Sequence, residues 1–517
     1  MELVKKNVHM DFTKASASTQ FVLEDDINLS DTKPDMDSVC LEKGQVVVEE
    51  VKSYEDAVVV RGRLQFAILY HSDEENRSLA VMEGKLPFEE KVQLPGVDGG
   101  DSVKAEGFIE DLSVSLINSR KISVQSVVNL KVIAEDIYDA QVPIGLHDAK
   151  GLEFRREPME VAQIAISKND VFRIREEVTL PGNYPNLFQI LWSSLNLNDV
   201  EIRPHMGKLS LQGDLQMLLI YESDEGEIRC LESTIPFSGN PECQGCTEEM
   251  IADVKCKIAQ QDLHIRPDMD GEERVIALDA LLDLSMKMYE ESKVEVISDV
   301  YGVSTEVETK EIPTQLRTLL AKNIGKQKLS QHLRIGKQNS NILQLLHSEG
   351  SAGLDSVEIG DGTVQMTGTV SLQVLYISGD ERKMYDVVKA QLPYKYEMEI
   401  PGMKPGDLVD SQVALEQVQV IILDGEELDV KAVLVFHVTA FRQEEHRFVS
   451  EIRAEPLDSK VLAGLPGIVV YMVKPGDNLW SIGKRYHVSV ERLKKMNDLT
   501  GDLIVPGQKL IIVKEGI

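Results

Sequence analysis

The segment "VVVRGRLQFAILYHSDEE" (58–75) occurs in similar form twice more along the chain. Its counterparts are "LSLQGDLQMLLIYESDEG" (209–226) and "VQMTGTVSLQVLYISGDE" (364–381), at offsets of 151 and then 155 residues. Self-similarity at a nearly fixed spacing indicates tandem structural repeats. The sequence therefore predicts three related modules.

Four kinds of residue recur at equivalent places in these copies. A strand glycine at one fixed place suggests a bulge or a close backbone contact, and the tyrosine suggests a half-buried ring with its hydroxyl at the rim. A structural role is favoured for both over a binding role. Upstream, Pro34 matches Pro185. The recurring residues are Gly62, Gly213 and Gly368; Tyr70, Tyr221 and Tyr376; Ser72, Ser223 and Ser378; and, after an apolar residue and a proline, Phe88, Phe237 and Tyr394.

The apolar pattern within each copy has the period of a β-strand. Leu64, Phe66 and Ile68 alternate with residues that point to the opposite face. Later runs are long and rich in β-branched residues, and segments 267–271 and 423–426 between such runs carry hairpin-turn residues. Each copy is therefore predicted to be an antiparallel, mainly β module.

The last fifty residues follow a different pattern. A short strand at 470–473 leads through a turn to a helix that Asp477 or Asn478 can cap, because a short side-chain oxygen accepts a free backbone N–H. A second short helix begins at Ser489, and a strand follows at 509–513. The order is βααβ.

The fold class expected for the whole chain is mainly β, with three tandem antiparallel β modules followed by a small βααβ domain. The segments at roughly 138–165 and 300–322 are expected to be connections. The predicted domain limits are 18–145, 166–303, 323–455 and 468–514.

Charge and composition exclude several classes of function. The formal net charge is −31; residues 470–517 carry about +3, which leaves about −34 for the rest. Such a chain repels nucleic acid, so we expect no nucleic-acid partner. The first residues lack a signal-peptide pattern and no long apolar run occurs, so we expect a cytosolic protein without membrane insertion. Five cysteines, an odd number, fit a reducing compartment.

The body lacks the sequence signatures of catalysis. Its histidines are scattered without a ligand-pair motif, and no Walker loop, nucleophile elbow or dinucleotide-binding glycine motif occurs. The glycine-rich segment 96–100 follows a proline and is predicted to be a turn. We therefore expect no enzyme activity and no cofactor.

Cys243 and Cys246 form the best candidate metal site, with Cys230 and Cys256 nearby. Four thiolates can hold zinc tetrahedrally. However, only one CxxC is present, and it stands where the other copies have "LPGV" and "IPGM", turns that fold without metal. A turn with small buried thiols is favoured, and a zinc site or a redox pair remains open.

The C-terminal pattern resembles the LysM domain. The matching residues begin with Tyr471, Val473, Gly476 and Asp477, and end with the run Pro506–Gln508. The resemblance implies binding of N-acetylglucosamine-containing glycans such as peptidoglycan, in a shallow groove between the first strand–helix loop and the loop before the last strand. The positions assigned to glycan or partner binding are Gly476, Asp477, Asn478, Leu479, Trp480, Lys484, Asn497, Leu503, Ile504, Val505, Pro506 and Gly507.

The chain departs from the usual LysM pattern at two positions. Asn478 stands where the family commonly has Thr, and both residues can cap a helix. Gly483 stands where the family commonly has Ala, and this glycine weakens the helix by about 1 kcal/mol. Trp480 shares a separate face with Lys484 and His487. It either forms an exposed patch for a partner or packs against the terminal strand or the linker.

The repeated modules resemble the SPOCS domain of spore-coat proteins from endospore-forming bacteria. The resemblance rests on "DTKPDMDSV" (31–39) followed by "VVVRGRLQFAILY" (58–70). SPOCS modules ending in LysM are the layout of the SipL-like, clostridial spore-coat morphogenetic family. This resemblance implies a protein that is made in the mother cell, lies at the forespore surface and binds the coat basement-layer ATPase, stage IV sporulation protein A. The alternatives are a peptidoglycan-binding protein and a LysM-anchored cell-wall hydrolase.

Overall fold

The computed structural model describes residues 2–74, 77–334, 342–379, 384–424, 426–456 and 467–513. In these ranges the chain forms twenty strands and two helices, and every strand pairing is antiparallel. The mainly β prediction, with a small βααβ domain at the end, is confirmed.

Eighteen of the strands form three modules of six. The first module has β1 Glu2–Asn28, β2 Met36–Tyr54, β3 Ala57–Glu74, β4 Arg77–Gln93, β5 Val103–Asn118 and β6 Lys121–His147. The second has β7 Leu152–Thr179, β8 Leu187–His205, β9 Lys208–Ser223, β10 Ile228–Gly239, β11 Ile251–Pro267 and β12 Glu273–Gly302. The third has β13 Thr305–Arg334, β14 Ile342–Ile359, β15 Thr363–Ser378, β16 Tyr385–Glu399, β17 Leu408–Ile422 and β18 Glu427–Pro456.

Each module consists of two three-stranded sheets with one topology. The first strand pairs with the sixth, which also pairs with the fifth, while the second, third and fourth strands form a meander. The sheets bury their apolar faces against each other; in the first module Leu64 and Ile68 of β3 share a cluster with Ile122 and Val124 of β6. The predicted turn at 267–271 joins β11 to β12, with Gly271 at φ 85°. Of the predicted turn at 423–426, Gly425 lies outside the described residues.

The first and last strands of each module continue beyond its core as a paired ribbon. The segments 138–165 and 300–322, predicted to be connections, are mostly strand, so that prediction was wrong. The strands of the three modules span 2–147, 152–302 and 305–456, which is wider than the predicted limits. The physical reason is that these ribbons bury apolar side chains against other modules, which the pattern of one module does not reveal.

Equivalent residues of the three modules meet in shared clusters. Leu69, Ile220 and Leu375, spaced by the repeat offsets, are fully buried together. Further along, the ribbons bring together Met10, Val161 and Leu316, which are also at the repeat offsets. The modules therefore pack around a common axis, and their meander sheets are buried on both faces.

A buried charge network crosses all three modules beside this axis. The Asp11 carboxylate of β1 lies 3.1 Å from the Lys287 ammonium of β12 and 3.0 Å from the Arg317 guanidinium of β13. The Tyr289 hydroxyl donates to the same carboxylate at 3.2 Å. These charged side chains are only 12–17% exposed. The Asp11 carboxylate of the first module thus pairs with one cation from each of the other two modules, and Lys287 also pairs with Glu135 of β6 at 2.8 Å.

The repeated glycine and aromatic residue are cross-strand partners. Gly62 faces Phe88 across β3 and β4, and a Cβ at position 62 would lie 2.7 Å from that ring. In the third module a Cβ at Gly368 would lie 2.1 Å from the Gly353 carbonyl oxygen and 2.3 Å from the Tyr394 hydroxyl. The predicted close contact is therefore present.

The repeated tyrosines are fully buried, so their predicted half-buried rings with rim hydroxyls were wrong. The Tyr70 hydroxyl donates to the Pro34 carbonyl at 3.0 Å, and Tyr221 donates to Pro185 at 3.2 Å. Each hydroxyl thus finds an internal acceptor, which lets the ring enter the core. The two proline positions matched in the sequence are the acceptors.

Candidate binding surface of the C-terminal domain

The C-terminal domain has its own closed core. Its elements are β19 Ile468–Met472, α1 Leu479–Tyr486, α2 Val490–Met496 and β20 Lys509–Val513, and β19 pairs with β20. The predicted limit, residue 514, lies outside the described residues. The buried cluster draws only on this domain and consists of Tyr471, Val473, Leu479, Ile482, Val488, Leu493, Leu510 and Ile512.

Side-chain caps fix where both helices begin. The Asn478 side chain accepts from the Ser481 backbone N–H at 2.7 Å, and the Ser481 hydroxyl accepts from the Asn478 N–H at 3.1 Å. Asn478, and not Asp477, is thus the cap of α1, and Ser489 caps α2 as predicted. Such a reciprocal capping box satisfies two backbone donors that would otherwise be unpaired.

Backbone hydrogen bonds hold the two predicted groove loops side by side. The Gly507 N–H donates to the Val473 carbonyl at 2.8 Å, and the Val473 N–H donates to the Gln508 carbonyl at 2.9 Å. Gly476 and Gly507 each have a φ of 89°, a backbone conformation that favours glycine. The loop chemistry read from the sequence therefore builds two adjacent, fixed loops.

Half of the predicted binding residues lie exposed on these loops. The Leu503 side chain is 94% exposed and Val505 is 64% exposed. Exposed apolar side chains beside exposed backbone suit the face of a sugar ring or an apolar patch of a protein. The exposed members are Gly476, Asn478, Leu503, Val505, Pro506 and Gly507.

Four predicted residues serve the domain's own structure. Leu479 is buried in the core, and Ile504 packs against it. The Asp477 carboxylate accepts from the Tyr471 hydroxyl at 2.7 Å and from the Lys474 N–H at 2.8 Å, and these bonds lower the pKa of Asp477. The Asn497 side chain donates to the Leu493 carbonyl and accepts from the Ile511 N–H.

Trp480 and Lys484 lie against the second β module. The sequence suggests for Trp480 either an exposed patch for a partner or packing against the terminal strand or the linker, and this contact is neither. The Trp480 indole N–H donates to the Asp299 carboxylate of β12 at 2.8 Å, and the Lys484 ammonium donates to it at 2.6 Å. Burial alone would raise the pKa of Asp299, but these donors hold that pKa below its ordinary value.

Further contacts complete this junction. The Trp480 and Tyr301 rings lie edge to face with centroids 4.7 Å apart, and the Tyr301 hydroxyl donates to the Val488 carbonyl at 2.9 Å. His487 Nδ1 lies 2.9 Å from the Gly302 carbonyl oxygen. Sequence reasoning missed Asp299, Tyr301 and Gly302; its one usable signal was the unusual Gly483, which lies beneath Tyr301.

The cysteine candidate lies in a turn of the second module. The Cys246 N–H donates to the Cys243 carbonyl at 3.0 Å, Gly245 has φ 84°, and both cysteines are buried. The equivalent turns at 94–97 and 400–403 have the same hydrogen bond and a positive-φ glycine. Burial, with the neighbouring Cys243, raises the pKa of the Cys246 thiol to about 11. Among the described residues, no group of three or more His, Cys, Asp or Glu side chains is placed to hold a metal ion.

A half-open cavity of about 580 Å³ lies where the three modules meet. The Glu349 carboxylate in its wall lies 3.1 Å from His347 Nε2 and accepts from the Trp192 indole at 3.4 Å. The Lys43 ammonium lies over the Trp192 ring, and burial lowers the pKa of this lysine. Lys389 pairs with Glu42. The contacts of Trp192 with Glu349 and Lys43, and the ion pair of Lys389 with Glu42, cross module boundaries and stabilise the junction.

Fold and surface together define a protein of tandem β modules with a docked C-terminal LysM-type domain. Residues 21–117, 187–266 and 341–423, one segment in each module, match the family model described as "SipL, SPOCS domain", and residues 471–513 match the LysM domain. The SPOCS segments cover half of the chain, and the chain belongs to this family. It is a LysM protein of the spore-coat-associated SPOCS family.

Curated relatives match over short segments. The chain is 52% identical over 40 residues to N-acetylmuramoyl-L-alanine amidase sle1 of Staphylococcus saprophyticus, covering 8% of this chain and 12% of the relative. It is 42% identical over 50 residues to SpoIVD-associated factor A of Bacillus subtilis, covering 9% and 13%. The chain thus spans about an eighth of the length of these relatives, and the amidase matches fall only in the LysM part.

No solved structure matches the chain. The two helices of the described chain have eight and seven residues, and no helix in that part is long and apolar enough to cross a membrane.

Proposed function

We propose that the chain is a non-enzymatic scaffold of spore-coat assembly. Its LysM domain binds the coat basement-layer ATPase, stage IV sporulation protein A, at the forespore surface in the mother cell. The three-module body then promotes encasement of the spore by coat material. The same LysM loops bind peptidoglycan as a second ligand.

One observation carries this proposal. The two LysM loops leave the Leu503 and Val505 side chains 94% and 64% exposed beside exposed backbone. In the cavity of the body, by contrast, Lys389 pairs with Glu42 across a module boundary. Family membership supports the spore coat as the setting, and the relative from Bacillus subtilis is named as a factor associated with SpoIVD.

Binding of the purified full chain to two immobilised ligands tests the proposal. The double variant Leu503→Ser with Val505→Ser should lose at least tenfold in affinity for the ATPase, because burial of each side chain is worth about 1.5–3 kcal/mol. Met269→Ser is the matched control, since Met269 is fully exposed in a hairpin turn of the body. If the immobilised ATPase retained the double variant as well as the wild type, the assignment of these loops as the binding surface would be overturned.

The second candidate is a peptidoglycan-binding protein or a LysM-anchored wall hydrolase. The amidase matches favour it, although they cover only the LysM part. Retention on insoluble peptidoglycan with no retention on the ATPase would favour the binding protein. Lysis of purified wall by the full chain would favour the hydrolase.

A further inference from the structure

We propose that Trp480 and Lys484 are positioning residues that seat the LysM domain on the end of β12, and that neither contacts the ligand. The part of this proposal that concerns the ligand rests on the proposed function. The seat on the second module is formed by Asp299, Tyr301 and Gly302.

The polar groups of Trp480 and Lys484 both form hydrogen bonds at the junction with the second module. Asp299 is the acceptor for the Trp480 indole and for the Lys484 ammonium, at 2.8 Å and 2.6 Å. The Asp299 side chain is only 27% exposed. The largely buried Asp299 carboxylate is stabilised because the Trp480 indole and the Lys484 ammonium both donate to it. Removal of either donor leaves this buried charge poorly paired.

The sequence carries independent support for the docked arrangement. A Cβ at Gly483 would lie 2.5 Å from the Tyr301 hydroxyl oxygen and 2.7 Å from the Val488 carbonyl oxygen. Tyr301 is itself only 3% exposed and cannot move aside freely. The Val488 carbonyl belongs to the LysM domain itself, so the fold of this domain and the docked Tyr301 both leave room only for glycine at position 483.

Docking gives the groove a fixed direction relative to the body. The contact uses α1 and the segment that follows it, at Trp480, Gly483, Lys484, His487 and Val488. The groove loops, with the exposed Leu503 and Val505, take no part in it. The ligand is thus held at one orientation to the three modules.

Distance measurement in the full chain tests the docking. Spin labels introduced as unnatural residues at Met206, exposed on the second module, and at Thr500, exposed on the LysM domain, report the separation of the two domains. Trp480→Ala and Asp299→Ala should each broaden the narrow distribution of the wild type. Glu295→Ala, an exposed change on β12, is the control and should leave it narrow.

Ligand binding by the same variants tests the positioning role. Trp480→Ala and Asp299→Ala should bind the ATPase and peptidoglycan within twofold of wild type, because the loops are intact. Asp299 lies outside the LysM domain, so its variant cannot act by unfolding that domain.

Two results would overturn the proposal: a narrow distribution in both variants, or a tenfold loss of binding in Trp480→Ala. If the wild type binds neither ligand, the proposed function fails, while the distances still decide the docking.

Discussion

The junctions among the three β modules and the junction between the LysM domain and β12 are built differently. The modules share apolar clusters to which all three contribute, and a charge network centred on Asp11 joins them. The LysM domain has a complete core, and its contacts with the body include the Asp299 carboxylate, the Tyr301–Trp480 ring pair, hydrogen bonds to two backbone carbonyls and the Arg155 guanidinium over the Trp480 ring. The body should therefore unfold as a unit, whereas the LysM domain should detach while folded.

The largest expected effect is at the charge network. Asp11→Ala should lower the free energy of unfolding of the body by about 3 kcal/mol, because it leaves the buried Arg317 without its carboxylate partner and leaves Lys287 with Glu135 alone. Denaturant unfolding followed by circular dichroism measures it. Glu24→Ala, exposed on the same strand, should change stability by less than about 0.5 kcal/mol. A loss below about 1 kcal/mol for Asp11→Ala would show that the network does not bind the modules together.

The next effect tests the packing within one module. Gly368→Ala should cost about 1–3 kcal/mol, since its Cβ would meet the Gly353 carbonyl oxygen and Tyr394. Gly353→Ala is the control on the paired strand, because its Cβ would have only an ordinary contact at 3.7 Å. Equal unfolding free energies for the two variants would contradict the close-contact reading of the repeated glycine.

The turn at Cys243 and Cys246 tests whether a bound metal ion or apolar packing stabilises this part of the body. A chelator should leave the Tm of the full chain unchanged, because the equivalent turns fold without thiols. Cys243→Ser should lower stability by about 1–3 kcal/mol, since it buries a hydroxyl in an apolar cluster. A fall of several degrees on chelation would instead establish a structural metal.

The smallest effect is the response of the LysM junction to pH. The pKa of Asp299 is lowered on docking, so its contribution is present above the ordinary Asp value of 3.8 and is lost as pH falls through the lowered value. The Met206–Thr500 distance distribution should stay narrow at neutral pH and broaden only below about pH 4. Asp299→Asn should remove this acid step, and an identical step in that variant would assign it to another group.

The sequence predicted the local structure of the modules and of the LysM domain, but it did not predict the contacts between domains. Alternation placed Leu64 and Ile68 in a module core, the repeat located the three equivalent turns, and short polar residues located both LysM caps. It missed the second buried face, where Leu69 and its equivalents meet, because one module's pattern does not say what covers its other side.

The candidate site divides in the same way. The exposed loops follow from the LysM resemblance and its glycines, since a local turn fixes its own backbone. The partner of Trp480 lies 181 residues away on β12, and no local rule links the two positions. Only Gly483, unfavourable in a helix, indicated that another group approaches α1.

Removal of residues 465–517 from the protein in a sporulating cell tests the central claim most directly. A fluorescent fusion of the shortened chain, with its level checked by immunoblot, should lose the ring around the forespore that the full chain forms. The double loop variant at Leu503 and Val505 should do the same, whereas Met269→Ser should retain the ring. Unchanged encasement by the shortened chain would contradict the account.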